Sequence, residues 1–349
     1  MNYYYLLEFI IYVLLTLCLT YQVMKKSFFS DKKMSIVVSI LFSFFLMLLF
    51  PLDFFNASIS LGVFLILWIF FDLLLKKKID SRLILGISSI ICFTFLGYAY
   101  YCKNHVIETH YRIKTDKEIG ESSFRVAQIS DSHIGFSMSS TRFSKYINKI
   151  NQAYPDVVVI TGDFVDDDTS KKEMEKASYA LSKLKTKYGV YYVYGNHDRG
   201  YHQYRDFNEE ELRKELGKNG VIVLQDEVIQ LTDYITLIGR EDQRYPRKEI
   251  EELVKEVDPK SFQIVLNHQP TDYENESKSN VDLVLSGHTH GGQFFPIGQM
   301  SVLLGINDSY KGIKTIQNTT FIVNTGLSDW GFQFKTGTIS EYGIIDITN

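Results

Sequence analysis

Five runs of β-branched, aliphatic and aromatic residues, Phe124–Ser130, Val157–Thr161, Val190–Tyr194, Phe262–Leu266 and Val281–Ser286, each break off into a short polar motif. In order the motifs are Asp131-Ser132-His133, Gly162-Asp163, Gly195-Asn196-His197-Asp198, Asn267-His268 and Gly287-His288-Thr289-His290. They hold five of the chain's eight histidines. Runs of this length and composition read as buried strands. Every motif therefore sits where a strand stops and a loop begins, the edge at which layered α/β proteins bind ligands. Taken singly, Asp-x-His or Gly-Asp is an ordinary turn. Repeated after five strands, the pattern gathers carboxylate, imidazole and amide donors along one edge, and that set is a mixed oxygen/nitrogen metal site large enough for two ions.

The segments between the runs carry helical periodicity. Thr141–Tyr154 places Phe143, Tyr146, Ile147 and Ile150 on one face, and Arg247–Asp258 repeats the pattern with Ile250, Leu253, Val254 and Val257. Asn208 with Glu211 three residues on, followed by Leu212 and Leu216, reads as a capped helix that ends at Gly217 or Gly220. Ile107, Thr109, Tyr111 and Ile113 alternate as a strand does. Alternating β and α units predict sheets covered by helices, an α/β fold.

The motif order resembles that of the calcineurin-like metallophosphoesterases, and the long Gly287-His288-Thr289-His290-Gly291-Gly292-Gln293 form resembles their bacterial membrane-associated subgroup. The match runs from about Phe124 to the C-terminus. The resemblance implies a four-layer αββα sandwich and a binuclear centre. One ion would be held by Asp131, His133, Asp163 and His290, and the other by Asp163, Asn196, His268 and His288, with Asp163 shared. The donor set suits two divalent ions drawn from Mn, Fe, Zn or Co. His197, left over beside Asn196, takes the family's place facing the leaving oxygen as general acid or transition-state stabiliser, and Asp198 would orient it. His105, His110 and His202 belong to no motif.

Two segments depart from the resemblance. Asn324-Thr325-Gly326 stands where many relatives carry Arg-Gly, and Trp330–Lys335 stands where many show Pro-x-Arg near the end. Neither position is a metal ligand in the family, so the departures bear on substrate recognition. The alternation of Trp330, Phe332 and Phe334 reads first as a half-buried strand, and second as an apolar rim beside the site.

Residues 1–102 are a different material. Tyr3–Met24, Ser35–Phe55, Ser58–Leu75 and Arg82–Cys102 are four apolar stretches of roughly the ~20 residues that cross a bilayer. The first lacks a cleavage site and is followed closely by three more, so it reads as an anchor and not as a removable signal. Basic residues fill the first connection (Lys25, Lys26, Lys32, Lys33) and the third (Lys76, Lys77, Lys78, Arg82), but not the second. Basic loops stay in the cytoplasm, which places both termini and the catalytic domain outside. Cys18, Cys92 and Cys102 all lie in this half; a thiol-free catalytic half agrees with export.

The chain thus divides into a four-helix transmembrane anchor, 1–102, and a metallophosphoesterase domain, 103–349. That domain carries 36 acidic against 29 basic side chains, which disfavours nucleic acid as a partner. The expected protein is a multi-pass membrane enzyme. It would hydrolyse a phosphodiester or pyrophosphate in a phospholipid or another cell-envelope phosphate, since tethering raises the effective concentration of such substrates. A phosphomonoesterase or protein phosphatase, and a non-catalytic envelope phosphate sensor, are the alternatives.

Overall fold

The computed structural model describes Tyr21 and residues 54–75, 78–200 and 205–349. Most of Tyr3–Met24 and Ser35–Phe55, with Lys25, Lys26, Lys32, Lys33, Lys76, Lys77 and His202, lies outside the described residues. Two compact units divide the chain after Tyr101, with Phe332–Phe334 grouped with the first.

The first unit holds α1 (Phe54–Leu75) and all but the last three residues of α2 (Ser81–Asn104). Among the described residues, Leu83–Asn104 of α2 is the one helical segment long and apolar enough to cross a membrane; Gly62–Leu75 of α1 is a shorter apolar segment. Three hydroxyls of α2 bond back within the helix. Ser88 Oγ donates to the Ile84 carbonyl at 2.8 Å, Ser89 to Leu85 at 2.9 Å and Thr94 to Ile90 at 2.9 Å. Such back-bonding satisfies these three donors without water.

The second unit is built from twelve strands: β1 (Ile107–Lys114), β2 (Ser123–Ile129), β3 (Val157–Thr161), β4 (Val190–Val193), β5 (Val221–Leu224), β6 (Glu227–Thr232), β7 (Ile235–Gly239), β8 (Phe262–Leu266), β9 (Leu283–Ser286), β10 (Gly312–Ile316), β11 (Thr319–Val323) and β12 (Glu341–Thr348). They form two six-stranded sheets, ordered β1-β12-β2-β3-β4-β5 and β10-β11-β9-β8-β7-β6. Within the first, β2 to β5 run parallel; within the second, β7, β8, β9 and β11 do. All the motif-bearing strands therefore deliver their C-terminal ends to shared edges.

The helices of this unit are α3 (Ser140–Gln152), α4 (Lys171–Leu181), α5 (Glu209–Lys218), α6 (Ile250–Val254), α7 (Tyr273–Lys278) and α8 (Ile297–Leu303). Three apolar layers separate four layers of structure. Val126, Val157, Val159 and Leu224 of the first sheet meet Leu237, Ile264, Leu266 and Leu285 of the second. The outer face of the first sheet packs Ile129, Val158 and Ile160 against Phe143, Ile147, Met174 and Leu212 of α3, α4 and α5. On the far side, Ile238, Val265 and Val284 pack against Ile250, Leu253 and Tyr273 of α6 and α7. The runs that look continuously apolar in sequence are those buried on both faces.

Local chemistry sets the ends of the helices. Asn208 and Glu211 form a reciprocal capping box at the start of α5, as the sequence predicts, and the helix ends at Asn219. The pattern Arg247–Asp258 yields only the five residues of α6, because Lys248 N donates to Asp226 Oδ2 at 2.8 Å and Arg247 is drawn to Asn267. Residues 330–335 form no strand. The buried Lys335 ammonium instead donates to the Thr325 carbonyl at 2.7 Å and lies 3.3 Å from Asp329, holding the segment as a loop.

Candidate metal centre

Backbone conformation marks the site before any side chain is considered. Asp131, His133, Asp163, His288 and His290 all adopt positive φ, between 42° and 70°. Non-glycine residues rarely do so, and each costs of order 1–3 kcal/mol unless its surroundings enforce it. Five such residues at the ends of β2, β3 and β9 turn their side chains away from ordinary loop directions and toward one another.

Crossed hydrogen bonds hold the loops in place. Asp131 N donates to the Gly162 carbonyl at 3.0 Å, and His133 N to the Asp163 carbonyl at 3.1 Å. His288 N donates to both Asp131 carboxylate oxygens at 3.0 Å, and His197 N to Asp163 Oδ1 at 2.8 Å. Glycine is required where two loops nearly touch. A Cβ at Gly195 would overlap the Asp163 carboxylate, and one at Gly287 would overlap Ser130 Oγ and the Asp131 carboxylate.

The result is two clusters side by side. The ligand atoms of Asp131, His133 and His290 lie within 4.8 Å of one another, as do those of Asp163, His268 and His288. His133 Nε2 and His290 Nε2 are 3.3 Å apart, and His290 Nε2 is 3.6 Å from Asp131. In the second cluster His268 Nε2 lies 3.3 Å from Asp163 Oδ2 and 3.2 Å from Asn196 Oδ1. Asp163 Oδ2 is also 3.7 Å from His133 Nε2, so this one carboxylate reaches both groups. All seven residues proposed from sequence as ligands converge here.

Three imidazoles are aimed by oxygen acceptors behind them. His133 Nδ1 is 2.8 Å from Asp166 Oδ2, His268 Nδ1 is 2.7 Å from the Thr161 carbonyl, and His290 Nδ1 is 3.0 Å from the Ser328 carbonyl. With Nδ1–H donating outward, each presents Nε2 inward as a lone-pair donor, which is how metal-bound histidines are held. A buried set of two carboxylates, an amide oxygen and four imidazoles fits a pair of divalent cations.

Electrostatics without cations show the same need. Burial opposes ionisation of Asp163, yet the surrounding imidazoles of His268, His197 and His133 hold it well below the usual carboxylate range. Burial also opposes charging of His133, but its bond to Asp166 and the nearby carboxylates push it up to about 9; the charge of Asp163 raises His268 likewise to about 10. Burial, with His268 alongside, lowers His288 to about 4.

One role read from sequence is corrected. Asp198 does not face His197. Its buried carboxylate accepts from four backbone N–H groups: Asp163 at 2.8 Å and Gly195 at 2.7 Å on one oxygen, Phe164 at 2.8 Å and Val165 at 3.1 Å on the other. It clamps the loop after β3 to the loop after β4. The acids near His197 Nδ1 are instead Asp167, at 3.4 Å, and Asp166, at 3.6 Å. Sequence reading passed over both, although the run Asp166-Asp167-Asp168 so soon after Gly162-Asp163 was a visible signal. The Trp330 ring lies with its centroid 5.1 Å from that of His197. A cleft of about 470 Å³ opens over the centre, lined by Asp163, Asn196, His197, His288, Gln293 and Trp330 among others.

Residues 124–292 match the family model of the calcineurin-like phosphoesterases. An uncharacterized metallophosphoesterase of Aquifex aeolicus is 31% identical over 221 residues, 61% of this chain and 80% of that protein. One from Campylobacter jejuni is 29% identical over 274 residues, 76% of this chain and 70% of that protein. A Bos taurus protein named as a transmembrane protein with metallophosphoesterase domain is 28% identical over 239 residues, 63% of this chain and 52% of that protein.

Proposed function

The chain belongs to the calcineurin-like phosphoesterase family, and we propose that it is a membrane-anchored, binuclear phosphoesterase that hydrolyses a phosphodiester or pyrophosphate bond of a lipid-linked or other cell-envelope substrate. The observation that carries this reading is the convergence of two donor clusters on Asp163. In it, Asp131, His133, Asp163 and His290 would hold one ion, and Asp163, Asn196, His268 and His288 would hold the other. When bound, such a pair supplies Lewis acidity and a nucleophile at neutral pH.

The protein's own residues provide the rest. Asp163, fixed by its backbone bond to Asp198 and by the His197 N–H, sets the spacing of the two clusters. Asp166, Thr161 and Ser328 fix the tautomers of His133, His268 and His290. His197, on the cleft side of the centre, protonates or stabilises the leaving oxygen. The Asp167 and Asp166 carboxylates lie beside its Nδ1, on the side of the ring away from Nε2.

Anchoring rests on the 22-residue segment Leu83–Asn104 of α2, long and apolar enough to cross a membrane, and on the three further apolar stretches of the sequence. The name of the Bos taurus relative agrees with it. The basic loops favour an extracytoplasmic domain.

The test presents a bis-aryl phosphate, an aryl monophosphate, a phosphopeptide and a lipid phosphodiester to the purified full chain, after chelation and after divalent metal is restored. Metal-dependent turnover with diesters preferred is the expected result. Preference for the monoester or phosphopeptide would make the protein a phosphomonoesterase. Metal binding without turnover on any of them would make it a sensor.

A further inference from the structure

The segment after the last metal-site motif is exposed where its sequence calls for burial. From Phe294 to Ile306 the chain reads Phe-Phe-Pro-Ile-Gly-Gln-Met-Ser-Val-Leu-Leu-Gly-Ile, without one charged residue. Phe295 is 61% exposed, Leu303 84%, Leu304 67% and Ile306 62%, and Ile297, Met300 and Val302 are exposed beside them. Of the residues of α8, only Gly298 is buried. Single exposed leucines are normal on a protein surface; seven exposed apolar side chains within the twelve residues 295–306 mark an interaction surface.

The run is also rigidly built. Gly298 packs against Gly292 and the Tyr310 ring so closely that a Cβ there would lie 2.9 Å from Gly292 Cα and overlap Tyr310. Phe295 N donates to Thr336 Oγ1 at 2.6 Å, and Gln293 Nε2 to the Trp330 carbonyl at 2.7 Å. Gln293 lines the cleft, and Phe295 stands two residues further on. The apolar run therefore starts beside the metal-site cleft, as a lip held in place at Gln293 and Phe295.

We propose that this lip inserts into the headgroup and acyl boundary of a bilayer, so that the phosphate of a membrane lipid enters the cleft without leaving the membrane. The occupant follows from the chemistry of the same chain. A helix long enough to cross a bilayer ends at Asn104, with two residues between it and β1, so the anchoring proposed above would keep the domain beside lipid. The run from 294 to 306 itself offers no charge to anionic headgroups and fits insertion of apolar side chains. The surface stands on its own; its use in supplying substrate rests on the phosphoesterase reading above.

The test uses the full chain in nanodiscs of phosphatidylcholine, with Cys18, Cys92 and Cys102 replaced by Ser and an environment-sensitive fluorophore on Leu303→Cys. The control is Tyr154→Cys, since Tyr154 precedes β3 and so lies at the strand end opposite the site. Emission at position 303 should shift to the blue and be quenched at least twofold by doxyl-labelled lipid, with little change at 0.05 and 0.5 M salt. Position 154 should show neither effect. Equal behaviour at the two positions overturns the proposal. So does a blue shift at 303 without quenching by lipid, which would give the surface to a second copy or another protein segment. In a functional arm, the pair Leu303→Asp and Leu304→Asp should lower the ratio of turnover on nanodisc-embedded lipid phosphodiester to turnover on a water-soluble diester about tenfold; an unchanged ratio removes the lip from substrate delivery. Absence of hydrolysis on both substrates counts against the phosphoesterase reading, and the quenching result still decides insertion.

Discussion

Replacing Asp198 by Asn separates a clamp from a catalytic partner. One carboxylate oxygen holds Asp163 N and Gly195 N, and the other holds Phe164 N and Val165 N, all within buried backbone. An amide has one acceptor oxygen, so in either orientation two of the four N–H groups face an NH2 group. Hydrogen bonds to a charged acceptor contribute about 1.5–3 kcal/mol each, and the loss of two costs about 3–6 kcal/mol before relaxation. At roughly 2–4 °C per kcal/mol for a unit of this size, the low end of that range lowers the melting temperature by about 6–12 °C. The freed N–H groups belong to the loops that carry Asp163 and Asn196, so metal content should fall as well. Melting of the full chain by intrinsic fluorescence, with elemental analysis of the same sample, measures both. A variant that melts within about 1 °C of the wild type, keeps its metal and loses turnover only on substrates with poor leaving groups would refute the clamp and restore Asp198 as the partner of His197.

Three further outcomes are expected. His197→Ala should keep its metal yet lose about 10²–10⁴-fold in rate, with a smaller loss on nitrophenyl esters than on alkyl esters; loss of metal together with rate would make His197 a ligand. Glu276, fully buried against Arg240 and Asn267, is pushed up to about 7 by burial, so its contribution to stability is complete below its ordinary value of 4.5 and is lost as pH rises through 7. Glu276→Gln should therefore gain stability relative to the wild type between pH 5 and 8, by on the order of 3 kcal/mol, and melting curves with a pH-independent difference would contradict this. Alkaline phosphatase fused after Asn349 should be active, and protease added to spheroplasts should remove the domain; a silent fusion with full protection would place the site in the cytoplasm.

Strand content and the gathering of donors were legible because they rest on local signals. Val157–Thr161 and Phe262–Leu266 are strands with the bounds that their apolar runs show, since both faces of each are buried and periodicity adds nothing to be misread. Asn208 and Glu211 were legible for the same reason: a capping box is contained in four residues. What sequence could not supply was direction. Asp198 adjoins His197 in the chain, but the turn between them sends its carboxylate back toward Asp163 and Val165, a contact across some 35 residues. Asp167 approaches His197 from another strand end, and Trp330 comes to it from a loop shaped by the buried Lys335, where alternation had suggested a strand. In α6, the bond from Lys248 to Asp226 overrode a correct helical period.

Metal stoichiometry across a set of ligand variants tests the binuclear assignment most directly. The wild-type chain should hold two divalent ions, His290→Ala and His288→Ala should each hold about one, and Asp163→Ala should hold fewer than one and have no measurable turnover. Two ions retained in Asp163→Ala, with turnover near that of the wild type, would contradict the shared-carboxylate centre on which the account stands.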